Sequence, residues 1–239
     1  MPRLNGRVAL VAGGAGAVGE GVVRSFLDAG ATVVVPSRSE ERLRSLRERV
    51  GDDKRLMTLV GDVGDPTGAE DVRGRVLEET KRVDAVVASV GGWWQGPRLT
   101  GVDMETWRRV LDNNLTTHFV LARTFLPVLR ERSGTAYLVI VGDAADHPVD
   151  GASLVSVSAS GVLGMFRALS AEMADTPVRL NALYLGPLRT RARPDGDPTW
   201  LSADEVGAYA AYLASGEGAM VSGSVVPLLS RPPAGEARA

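Results

Sequence analysis

Apolar positions in this chain fall into short unbroken runs, separated by longer stretches in which they recur every three or four residues. Residues 8–11, 31–35, 56–60, 85–88, 136–141, 179–183 and 224–229 form the short runs, rich in valine and leucine. Continuous rather than alternating hydrophobicity predicts strands buried on both faces, as in a parallel sheet covered by helices. The periodic stretches predict helices over 19–29, 40–50, 69–82, 104–132, 153–174 and 202–214. Pro127 is expected to kink or end the fourth, since it has no N–H for the helical ladder. Strand–helix alternation along the whole length predicts an α/β fold: one doubly wound parallel sheet of about seven strands with helices on both faces. A single domain is expected over residues 1–230, and the Pro-, Gly- and Arg-rich residues 231–239 are expected to be a disordered tail.

The first strand runs straight into Gly13-Gly14-Ala15-Gly16-Ala17-Val18-Gly19, which opens the first helix. Glycines at such a strand-to-helix junction allow a sharp turn and let backbone N–H groups approach a pyrophosphate at the helix N-terminus. That placement makes the sheet Rossmann-like and predicts a bound dinucleotide. The end of the second strand reads the ribose. An acid there would bond a 2′-hydroxyl, whereas an arginine accommodates a 2′-phosphate. This chain has Pro36-Ser37-Arg38-Ser39 and no acid before Glu40. Arg38, helped by the Ser37 hydroxyl, favours NADP over NAD; a solvated arginine at a helix start is the bland alternative.

Composition narrows the class. With 27 basic and 29 acidic residues in 239, the net charge of −2 leaves no electrostatic footprint for nucleic acid. No unbroken apolar run approaches the roughly 20 residues that cross a bilayer, and only seven residues precede the first strand, so neither membrane span nor signal peptide is expected. Absence of cysteine and the presence of only two histidines argue against a metal site. A cytoplasmic location is the expectation.

The order of elements and motifs resembles the short-chain dehydrogenase/reductase family over about residues 6–228. The family's Thr-Gly-x-x-x-Gly-x-Gly is met by Ala12-Gly13-Gly14-Ala15-Gly16-Ala17-Val18-Gly19, with Ala17 where its second glycine stands. Asp62-Val63 matches the pair that holds the adenine, and Ala88-Ser89-Val90-Gly91 replaces Asn-Asn-Ala-Gly. Asn114 matches the family's helix asparagine. Gly186 and Thr190 match its Pro-Gly-x-x-x-Thr turn, Leu185 replacing the proline. The resemblance implies that Ala88, Gly91, Asn114, Gly186 and Thr190 join the glycine turn, Ser37, Arg38, Asp62 and Val63 in binding the cofactor.

The family's acid–base group is a tyrosine, with a lysine four residues later and a serine thirteen residues earlier. Aligned on Gly161 and Gly164, those positions fall on Val155, Ala159 and Gly142. No Tyr-x-x-x-Lys occurs in the chain, whose lysines are Lys54 and Lys81. A free phenol with a pKa of about 10 needs a nearby cation to work at neutrality. The resemblance therefore implies a cofactor site without the standard proton-handling groups. Asp143 and His147 are weak substitutes, as is Tyr184, each with a structural alternative. Trp93 and Trp94, following Gly91-Gly92, line either a substrate pocket or an edge of the sheet. The stretch between Gly186 and Ser202 is short for a substrate lid. Three functions stay open: an NADP(H) oxidoreductase with unorthodox acid–base groups, a nucleotide-binding protein without turnover, and a non-redox cyclase, dehydratase or isomerase. Apolar and small residues around the fourth and fifth predicted helices imply a homodimer or homotetramer, or pairing with a catalytic paralogue.

Overall fold

The computed structural model describes residues 2–230; the expected tail at 231–239 lies outside them. The chain runs β1 (Val8–Ala12), α1 (Gly19–Asp28), β2 (Thr32–Ser37), α2 (Glu40–Val50), β3 (Leu56–Val60), α3 (Pro66–Thr80), β4 (Ala85–Ala88), α4 (Met104–Leu111), α5 (Thr117–Leu129), β5 (Ala136–Gly142), α6 (Ser153–Glu172), β6 (Arg179–Leu185), β7 (Leu188–Arg189), β8 (Leu201–Ser202), α7 (Ala203–Ala214) and β9 (Ser224–Leu228). Seven strands form one parallel sheet in the order β3-β2-β1-β4-β5-β6-β9. Strand order reverses between β1 and β4, the place where open α/β sheets bind ligands. Helices α1, α2 and α7 cover one face, burying Val22, Phe26, Leu46, Val206 and Ala210. Helices α3, α5 and α6 cover the other through Val72, Phe125, Val162 and Phe166.

Local chemistry explains the boundaries and the departures from the sequence pattern. The third helix begins at Pro66 rather than residue 69, because the Asp65 side chain accepts from the Gly68 N–H and proline suits the first helical position. The predicted helix 104–132 is two helices, separated by a π-turn at Asp112–Thr116. Pro127 sits inside α5, which continues to Leu129 before ending. Ser202 is the N-cap of α7 rather than its first residue, in a reciprocal capping box with Glu205. The short strands β7 and β8, which pair parallel with each other, have too few residues to be read from a pattern. Pro227 lies in β9, an edge of the sheet, where a missing N–H is tolerated. Among the described residues α6 is long and apolar enough to cross a membrane. Serines, alanines and glycines interrupt its larger side chains, so no unbroken apolar run marks it in the sequence. Here it packs on the sheet, with Leu154, Val162, Leu163 and Phe166 buried.

Candidate functional site

A cleft of about 950 Å³ opens at the C-terminal ends of β1 to β4. Its floor is the glycine turn. Gly13 has φ +80°, and a Cβ there would stand 2.0 Å from the Ser89 carbonyl oxygen, so the turn passes directly against the exit of β4. Gly19 is held as tightly, its hypothetical Cβ lying 2.2 Å from the Gly13 oxygen. Gly14 points inward, against Val23 and Val35. Of the turn, Gly13, Ala15 and Gly16 face the cleft; Gly14, Ala17, Val18 and Gly19 do not line it.

The outer end of the cleft carries charge. Ser37, Arg38, Arg42, Asp62 and Asp65 line it. The Arg38 guanidinium is 3.8 Å from the Asp62 carboxylate and its side chain is 70% exposed, so it is free to reach an anion. Arg42, in the first turn of α2, brings a second arginine to the same lining. The Ser37 hydroxyl accepts from the Ser39 N–H at 3.2 Å, and Asp62 accepts from the Gly64 N–H at 2.8 Å, which orients both groups. Val63 lines the wall beside them.

The opposite wall is built by the exit of β4 and the π-turn. Gly91 has φ +106°. Asn114 accepts from the Gly92 N–H and donates to the Gly92 carbonyl, both at 2.9 Å, so its amide braces this turn. Trp93 and Trp94 both reach the cleft, where Arg109 also lies. Trp94 is packed against Gly96, while Trp93 is 56% exposed. Ala88 is fully buried in β4 and does not face the cleft.

A second group of residues lies outside the cleft lining. Gly142 is exposed, and a Cβ there would meet nothing within 4 Å. Val155 is half-buried and Ala159 is buried in the core. None of the three side chains can carry a proton. Tyr184 donates towards the Asp143 carbonyl oxygen and the Asp146 carboxylate, at 3.0 and 2.9 Å. Desolvation, followed by the hydrogen bond and charge of Asp146, pushes its phenol up to about 12. His147 and Asp143 are 4.0 Å apart, with the imidazole largely exposed. Burial raises the Asp143 carboxyl above the ordinary range. Gly186 packs against Leu229, and the Thr190 side chain accepts from the Ala192 N–H; neither lines the cleft.

The segment after β7 folds back over the glycine turn instead of standing open. Arg191 donates to the Ala15 carbonyl at 3.1 Å and to the buried Glu20 carboxylate at 3.0 Å. Glu20 also meets Arg24 and Arg49.

A family model described as short chain dehydrogenase matches residues 7–198. The chain belongs to the short-chain dehydrogenase family. It is 26% identical over 245 residues to the rhamnolipids biosynthesis 3-oxoacyl-[acyl-carrier-protein] reductase of Pseudomonas aeruginosa, covering 94% of this chain and 95% of that protein. It is 28% identical over 241 residues to the 3-oxoacyl-[acyl-carrier-protein] reductase FabG of Thermotoga maritima, covering 94% and 96%. The Pseudomonas aeruginosa RhlG/NADP active-site complex superposes with a TM-score of 0.85 at 24% identity, over 95% of this chain and 96% of that one. The 3-ketoacyl-(acyl-carrier-protein) reductase from Brucella melitensis complexed with NADH gives 0.86 at 21%, over 94% and 97%. These likenesses show the fold.

Within this short-chain dehydrogenase, sequence reasoning missed Arg42, Arg109, Glu20 and Arg191. Arg42 could have been found from its four-residue spacing to Arg38. Glu20 and Arg191 are 171 positions apart and leave no local signal.

Proposed function

We propose that this short-chain dehydrogenase binds NADP(H), with NAD(H) as the alternative dinucleotide, and performs little or no standard carbonyl reduction. The observation that carries the reading is the division of the site. The cleft joins a glycine turn, which a Cβ at Gly13 would obstruct, to Arg38, Arg42 and Asp62 at its outer end. Gly142, Val155 and Ala159, the positions matched to the family's serine, tyrosine and lysine, lie outside it and carry no ionisable group.

The residues present fit a dinucleotide. Gly13 and Gly16 let the backbone approach a diphosphate, Asp62 and Val63 border an adenine, and Ser37, Arg38 and Arg42 offer donors to a 2′-phosphate. Bound there, the nicotinamide would supply hydride chemistry. Asn114 braces the turn at Gly92 through both ends of its amide, which fixes its side chain on that backbone. Tyr184 holds its proton against Asp146 and does not release it near neutrality. Ground-state binding and proton transfer thus rest on different residues, and loss of acid–base assistance reduces rate by roughly 10²–10⁴-fold without touching affinity.

NADP and NADH in the Pseudomonas and Brucella complexes support the cofactor assignment. The reductase relatives favour a second reading, ordinary reductase activity through other acid–base groups. Titration of the protein with NADPH by fluorescence, alongside turnover of a ketone panel, separates the two. Saturable binding with negligible turnover is expected; robust turnover would establish the second reading, and absence of binding would remove both. Exposed Phe119 on α5, together with Met104 on α4 and Val60, further supports assembly as a homodimer or homotetramer, measurable by light scattering.

A further inference from the structure

The glycine turn carries no polar side chain: Ala12 to Gly19 contains only glycine, alanine and valine. A diphosphate lying on this turn would therefore find backbone donors alone, unless a cation is brought from another element.

One is brought. Arg191, in the segment between β7 and β8, uses Nε on the Glu20 carboxylate at 3.0 Å and Nη2 on the Ala15 carbonyl at 3.1 Å. Ala15 lines the cleft, so the guanidinium is pinned at the rim of the turn. A guanidinium has five N–H donors. Two are used in these bonds, which leaves three on a side chain that remains 46% exposed.

The charge around Glu20 is unbalanced in the same direction. Arg24, Arg49 and Arg191 converge on its carboxylate, and Arg24 also pairs with Asp204 at 2.5 Å. Three guanidinium groups share two carboxylates, which leaves a surplus of one positive charge. Glu20 is 6% exposed and sits in the first turn of α1, where an uncompensated carboxylate would repel an anion. The arginines reverse that sign. A single ion pair would have been enough to satisfy Glu20; the excess is available to a ligand.

We propose that Arg191 is a dinucleotide-positioning residue that contacts the diphosphate, held at the glycine turn by Glu20 and the Ala15 carbonyl. This rests on the dinucleotide reading and adds to it a contact from a distant part of the chain. Because Arg191 belongs to the segment after β7, the contact also couples that segment's position to an occupied turn.

The test compares NADPH with adenosine 2′-phosphate, which lacks the diphosphate, in the wild type and in R191A and R191K. Charge-assisted hydrogen bonds to phosphate predict that R191A raises the Kd for NADPH roughly tenfold to hundredfold. Its Kd for adenosine 2′-phosphate, measured by displacement, stays at the wild-type value. R191K recovers part of the loss, since an ammonium restores charge but not the planar fork. Unchanged NADPH binding in R191A would overturn the proposal while leaving the dinucleotide reading intact. Equal weakening of both ligands would make Arg191 a merely structural tether and overturn it as well. Failure of the wild type to bind NADPH would remove the dinucleotide reading and the proposal together.

Discussion

At the scale of single residues, His118 shows what the sheet's burial does to an ionisable group near the site. It lies in the first turn of α5, 2% exposed, and its Nδ1 has no partner. Desolvation lowers its pKa from 6.5 to about 4, only partly opposed by a hydrogen bond with the Val90 backbone. In the folded protein the imidazole is neutral at pH 6; in the unfolded chain it begins to charge there. Its contribution is therefore fully present above about pH 6.5 and is lost as pH falls towards 4, a window worth on the order of 3 kcal/mol. Urea unfolding midpoints measured from pH 7 to pH 4.5 should fall along this slope in the wild type. In H118Q, which has no proton to take up, the fall should be shallower. An identical pH dependence in both proteins would place acid sensitivity elsewhere. Tyr184 shifts in the opposite range: its folded pKa of about 12 exceeds the unfolded value, so its contribution is complete below about pH 10 and declines above it. Y184F should flatten the alkaline limb of stability and leave NADPH affinity unchanged, since the phenol is bonded to Asp143 and Asp146 rather than facing the cleft.

At the scale of elements, the crossing of α1 and α7 decides how firmly the glycine turn is held. A Cβ on Gly207 would stand 2.2 Å from the Gly21 oxygen, and one on Gly21 would stand 2.2 Å from the Ala203 backbone. The two helices meet backbone to backbone, stitched by Ser25 to the Asp204 carbonyl and Arg24 to its carboxylate. Helix propensity alone would make Gly207→Ala stabilising by about 1 kcal/mol. The obstructing atoms are backbone, so overpacking wins and G207A should destabilise by about 2 kcal/mol. Gly74, exposed in the middle of α3 with nothing within 4 Å, is the control: G74A should stabilise by up to about 1 kcal/mol. Chemical denaturation of both variants checks the contrast in sign. The same comparison shows what could be read in advance. Strands and most helices were legible because burial on two faces or one leaves a period, as in residues 8–11 or 40–50. The π-turn at Asp112–Thr116 was not, because Leu111, Leu115 and Phe119 keep a four-residue spacing through it. Nor were β7 and β8, at two residues each. In the site, the glycine turn, Arg38 and Asp62 were legible as local motifs, whereas Glu20 with Arg191 exists only once the segment after β7 has folded back.

At the scale of the whole molecule, the cleft and the positions matched to the family's serine, tyrosine and lysine lie in separate parts of the sheet. The cleft draws on β1 to β4, whereas positions 142, 155 and 159 belong to β5 and α6. That separation makes the proposed loss reversible in principle. Gly142 has open space where a serine Oγ would extend. Val155 stands half-buried in the first turn of α6; Ala159, a turn later, packs among buried residues. A lysine introduced there brings the cation that draws a neighbouring phenol's pKa down towards neutrality, working against the desolvation that lowers its own. The combined variant G142S/V155Y/A159K should therefore raise ketone reduction by roughly 10²–10⁴-fold while NADPH affinity changes little, because none of the three positions lines the cleft. Steady-state kinetics with NADPH and a ketone panel, paired with fluorescence titration, reads both quantities in one preparation. Each single variant should recover much less, since the phenol needs the cation and the serine needs both. A rise in rate with unchanged Kd would establish that the scaffold keeps a competent hydride geometry and lacks only its proton handling. A flat rate with intact binding would instead locate the deficit in the approach to the nicotinamide, where Gly96 N–H bonds the Gly151 carbonyl at 2.8 Å and draws the loop after β4 onto the loop before α6. In that case the additional substitution to make is at Trp93, the exposed aromatic carried by the same loop.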